Sequence, residues 1–101
     1  MEIFEIKKLI KEGLTVHIKY NGEWGGVDPY YEKKTGNFYE CFYKEVNTIV
    51  YDIDDAMNLP FVDGKSLNEI AGELEDVDWW GWVKSSEVFT LKQYNTKRVA
   101  P

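Results

Sequence analysis

The sequence predicts an α+β fold: a small single domain, mostly an antiparallel sheet of four or five strands, with an N-terminal helix and a second helix packed on one sheet face. Three observations predict it. Apolar residues alternate over several short runs bounded by Gly, Asn and Asp, the pattern of strands joined by tight turns. Residues 2–12 place Ile3, Ile6, Leu9 and Ile10 on one side of a helix, with Gly13 set to end it. Ser66-Leu67-Asn68-Glu69 is a capping box, in which a serine oxygen and a glutamate carboxylate satisfy free backbone N–H groups at a helix start.

The elements follow in order. In Thr15–Tyr20, Val16, Ile18 and Tyr20 face the core, and Thr15, His17 and Lys19 face out. Asn21–Gly26 reads as a glycine-rich loop opened by an Asn-Gly turn. Its Trp24 either anchors a partner or folds back over the core edge. Residues 27–33 and 38–44 form an aromatic hairpin around Lys34-Thr35-Gly36-Asn37, and Pro29 suits a strand that is an edge or starts late. One face of this ribbon is expected on the core and the other only partly covered. Residues 46–53 are apolar on both faces and read as a central strand. Residues 54–63 make a turn or one helical turn, with Asp54 as its cap and Pro60 as its stop. The capping box starts a helix over 66–75, which Gly72 weakens by about 1 kcal/mol relative to alanine. Residues 76–83 are a further strand and 88–91 a last short strand or turn. The domain spans 1–93, and 94–101 read as a flexible polar tail.

Charge is regional. Residues 45–78 carry ten acids against Lys65 alone, in a chain of net charge −6. This field repels nucleic acid and favours basic protein surfaces, so direct nucleic-acid binding is not expected. The alternative is a solvated acidic face that serves solubility.

Site chemistry is sparse. One His and one Cys cannot build a tetrahedral zinc site. Asp52, Asp54 and Asp55 lack the glycine and the final glutamate of a calcium loop. His17 has no legible orienting partner for base catalysis, and Cys41 reads as a buried, inert thiol. No enzyme activity, cofactor or metal is therefore expected. The start, MEIFEIKKLIKEG, has no apolar core of a leader peptide, and no run is long enough to cross a bilayer. With a lone cysteine this places the protein in the cytoplasm, away from membranes.

Protein binding remains. The reading is a small acidic inhibitor, of the immunity or phage anti-defence kind, acting as a nucleic-acid mimic. It would occupy a basic, nucleic-acid-binding surface of a toxin nuclease, restriction enzyme or CRISPR effector, as a monomer or weak homodimer. The residues expected to carry it are Asp52, Asp54, Asp55, Asp63, Glu69, Glu73, Glu75, Asp76 and Asp78, with Trp24 and Trp79 as anchors. Two other classes stand beside it: a small-ligand site with an aromatic pocket, and a structural subunit that self-assembles through a strand edge.

Overall fold

The computed structural model describes residues 2–85 and 88–93, with side chains described for residues 2–81. The chain opens with helix α1, Ile3–Lys11. The Glu5 carboxylate accepts the Glu2 N–H at 2.9 Å and so caps its start. Its end is a Schellman turn: the Gly13 N–H donates to the Ile10 carbonyl at 2.9 Å, and the Leu14 N–H to the Leu9 carbonyl at 3.1 Å. That turn needs φ +90° at residue 13, where only glycine is unstrained.

Six strands follow: β1 Thr15–Tyr20, β2 Glu23–Glu32, β3 Gly36–Tyr43, β4 Val46–Val50, β5 Asp76–Ser85 and β6 Val88–Gln93. They form one antiparallel sheet in the order β4-β3-β2-β1-β5-β6. The fold is the expected α+β class, and β6 is the segment read as a last short strand or turn.

Asn21 and Gly22 have φ of 49° and 77°, and Tyr20 pairs with Glu23. This is a two-residue turn with both φ positive, whose twist matches the flanking strands. The Asn21–Gly26 stretch is therefore not a loop. Beyond the turn, Trp24, Gly25 and Gly26 are already strand, paired with Lys19, Ile18 and His17. Pro29 also lies in a long internal strand rather than an edge. β1 pairs β2 only as far as Val27, so Pro29 removes no bond to β1 and pairs with Tyr39 on the β3 side.

The run over 46–53 is a second correction. β4 ends at Val50 and is an edge strand, with Ile49 47 % and Tyr51 65 % exposed. The central strands are β1 and β2. The expected pattern failed because apolar residues on both faces signal burial only if something covers both faces, and here no described helix covers one of them. From Asp52 the chain turns helical. Asp52 Oδ1 accepts the N–H groups of Asp54 at 2.8 Å and Asp55 at 3.3 Å, so Asp52, not Asp54, caps helix α2, Ile53–Asn58.

Helix α3, Leu67–Ile70, carries the predicted capping box: Glu69 Oε1 accepts the Ser66 N–H at 3.0 Å, and Ser66 Oγ the Glu69 N–H at 3.3 Å. It tightens into a single 3₁₀ turn, Ala71–Glu73, and stops short of the expected residue 75. A Cβ at Gly72 would meet nothing within 4 Å, and its φ is not in the left-handed region. Gly72→Ala is therefore expected to stabilise the fold by about 0.5–1 kcal/mol, by restricting the unfolded chain. A urea midpoint that falls would show that the backbone at residue 72 needs glycine.

The segment from α2 to the 3₁₀ turn carries the chain from β4 past three strands to β5. That span is about 19 Å, four interstrand spacings, and the helices cross one sheet face to cover it. Ile6 and Ile10 of α1, Met57 of α2, Phe61, Leu67 and Ile70 pack there on Val16, Ile18, Val27, Cys41, Tyr43 and Val77, in one domain with one core. The expectation for the 94–101 tail falls outside the described residues.

Candidate functional site

The opposite sheet face carries no described helix. It holds the alternate residues that point away from the core. Register sets the neighbours. His17 stands opposite Gly26 on β2 and Asp78 on β5; Thr15 opposite Trp80; Lys19 opposite Trp24 and Asp76. Asp28 stands opposite Glu40, and Tyr30 opposite Phe38.

His17 is the middle of this face. A Cβ on Gly26 would lie 2.7 Å from His17 Cδ2, so the imidazole rests in the space a side chain there would fill. The ring meets Trp80 edge-on at 4.4 Å between centroids and Phe42 at 5.2 Å. His17 Nε2 approaches Asp28 Oδ1 to 3.4 Å, without the alignment of a hydrogen bond. That oxygen is sealed from solvent and accepts no hydrogen bond from a described residue. Asp78, beside His17, is 6 % exposed. A depression of about 310 Å³ opens here, lined by Thr15, His17, Asp28, Pro29, Tyr30 and Trp80.

Toward the β4 edge the face becomes an aromatic strip. Tyr30 stacks on Phe38 at 5.2 Å and 13°, and Phe38 lies 6.2 Å from Tyr51. The Tyr30 hydroxyl donates weakly to Glu40 Oε1 at 3.4 Å. Partial burial, then the carboxylates of Asp28 and Glu40, push that hydroxyl above its ordinary pKa.

The residues singled out from the sequence divide between the two layers. In the helical layer, Asp52 caps α2, Asp54 takes Lys7 Nζ at 2.6 Å, and Asp55 is exposed. Glu69 caps α3, Glu73 is exposed, and Glu75 accepts the Gly22 N–H at 3.1 Å, tying the end of the helical segment to the first hairpin. Asp76 and Asp78 belong to the other side, on the open face with half-buried Trp24. Trp79 is on the covered face, partly buried against the core and lining a groove with Phe4 and Leu9. The acids thus do not form one surface. The members that sequence reading did not select are His17, Asp28, Tyr30, Phe38, Glu40, Tyr51 and Trp80. Their signal is the shared alternation of 15-17-19, 28-30 and 38-40-42, which becomes legible once the hairpin registers are known.

Asp63 is a staple. It sits at φ 51° in the tight turn between Val62 and Lys65. Its carboxylate takes Asn21 Nδ2 at 3.2 Å and Lys44 Nζ at 3.1 Å, and lies 3.3 Å from the Tyr43 hydroxyl, which donates to the Tyr20 carbonyl at 2.6 Å. The hydrogen bond from Asn21, then that from Lys44, holds Asp63 below the usual carboxylate range. A carboxyl depressed in the folded state contributes stability above its ordinary pKa and loses it as pH falls through the depressed value. The gap in urea midpoint between the native chain and Asp63→Asn should therefore be full at neutral pH and shrink below about pH 4. A gap that does not change with pH would rule out an ionic contribution. Its size is modest, since the pair is partly exposed and screened.

Cys41 is fully buried, and burial, then Asp28 and Glu40, push its thiol up to about 12, which leaves it protonated and unreactive at neutral pH. Among the described residues, no three His, Cys, Asp or Glu side chains are placed to hold a metal ion, and no helix is long and apolar enough to cross a membrane. No protein-family model, curated protein or solved structure matches this chain.

Proposed function

We propose that this protein is a non-catalytic inhibitor that docks, through the open face of its sheet, on a basic nucleic-acid-binding surface of another protein in the cytoplasm. One observation carries the reading: an aromatic strip, Tyr30-Phe38-Tyr51, shares a sheet face that no described helix covers with Asp28, Glu40, Asp76 and Asp78, and among the described residues Lys19 is the cation on that face. Aromatic side chains supply apolar anchors of low conformational entropy, and surrounding acids select and steer a basic partner. A nuclease of the toxin, restriction or CRISPR type presents such a surface where it holds phosphates.

The test is a pull-down from nuclease-treated lysate of the native host, at low and high salt. Phe38→Ser with Tyr51→Ser, or Glu40→Lys with Asp76→Lys, should weaken capture of the basic partner about 30-fold or more. Reversing Asp54, Asp55 and Glu73 in the helical layer should weaken it less. Added nucleic acid should displace the protein. A partner held equally by the sheet-face variants would sink the proposal.

A second reading has its own observation. Among the described residues nothing pairs with the outer edge of β4, Val46 and Ile49 are exposed, and such an edge can pair with a second copy. Sedimentation across a wide concentration range decides it; a monomer throughout removes self-assembly.

A further inference from the structure

We propose that the depression at the centre of the open face is a receptor for one arginine side chain of the partner. The inference rests on the docking face proposed above and gives that partner's chemistry at one point.

Charge comes first. The depression is lined by Asp28, whose Oδ1 is sealed from solvent and accepts no hydrogen bond from a described residue. Glu40 stands opposite Asp28 on β3, on the same face. Among the described residues, the side chain close enough to offset Asp28 is His17, at 3.4 Å and poorly aligned. A carboxylate so placed has an unmet need for a cation.

The walls come second. Trp80 and Tyr30 both line the depression, together with Thr15 and Pro29. Aromatic faces attract a cation laid over them. A guanidinium is planar, stacks on such faces and can still donate to a carboxylate, whereas an ammonium is a compact point charge.

Size comes third. The volume of about 310 Å³ is at the low end of the roughly 300–1,000 Å³ of small-molecule sites. It suits one long side chain rather than a large metabolite.

The experiment titrates the full chain with N-acetyl-arginine amide and follows the His17 ring and Trp80 indole signals by NMR. N-acetyl-citrulline amide, of the same shape without the charge, is the matched probe. Saturable shifts at His17, Tyr30 and Trp80 with the arginine probe alone support the proposal. Asp28→Asn should weaken binding about tenfold or more, through loss of a charge-assisted contact. Trp80→Leu should weaken it while keeping the carboxylate, and guards against a misfolded Asp28 variant. No saturable shift, an equal response to citrulline, or unchanged binding in both variants would overturn it. No protein partner is present in this titration. Its failure removes the arginine receptor and leaves sheet-face docking to its own pull-down.

Discussion

Gly26→Ala should lower the thermal midpoint by about 12 °C or more, the equivalent of roughly 3 kcal/mol in a domain of this size. The reason is contact, not backbone freedom. A Cβ at residue 26 would fall 2.5 Å from the Val16 carbonyl oxygen and 2.7 Å from His17 Cδ2. The carbonyl belongs to the neighbouring central strand and cannot retreat without breaking the β1–β2 ladder. Gly25→Ala should behave alike, since its Cβ would fall on the Phe42 carbonyl oxygen and 2.8 Å from Tyr43 Cδ1. Gly81→Ala is the control. Its Cβ would meet only the tip of Leu14, at 2.5 Å, and a leucine end can swing away. Differential scanning calorimetry on the three variants checks the order. Equal losses at 26 and 81 would mean that the strands are not packed this closely. In Gly26→Ala the His17 ring should also lose its edge contacts with Trp80 and Phe42, visible in its proton shifts.

Ile18→Ala should cost about 2–5 kcal/mol, the range for emptying a fully buried aliphatic site. Ile18 is 0 % exposed and sits between Gly25 on β2 and Val77 on β5. Glycine opposite it offers no side chain to fill the void, so the upper half of the range is expected. Against a total of about 5–15 kcal/mol for a typical domain, that loss is large. Urea unfolding followed by tryptophan fluorescence should show a lower midpoint with an unchanged slope. A loss under about 1 kcal/mol would place Ile18 outside the core.

Much of the architecture is local and so can be read from the chain. The Asn21-Gly22 turn, the Ser66–Glu69 capping box, the glycine that ends α1 and the in-out alternation of Thr15–Tyr20 each depend on residues within one turn or strand. They appear where expected because backbone sterics and neighbouring hydrogen bonds decide them. The helix start at Asp52 was legible too, in an acid followed by two more acids, but the alternation running through Tyr51 to Ile53 masked it.

Strand order has no such local cause. Whether 46–53 lies at the centre or the edge depends on which strand β5 joins, and β5 joins β1 because the helical crossover carries it past three strands. That crossover decides which sheet face is covered, and therefore whether Tyr30, Phe38 and Tyr51 are core or surface. The acids follow the same rule. Asp54 meets Lys7 across 47 positions and Glu75 meets Gly22 across 53, while Asp76 and Asp78 turn to the far side of the sheet. A charge count along the chain sums these residues into one acidic segment. Folding separates them into caps, staples and an open face, because strand pairing brings distant residues within bonding distance and alternation turns adjacent ones apart.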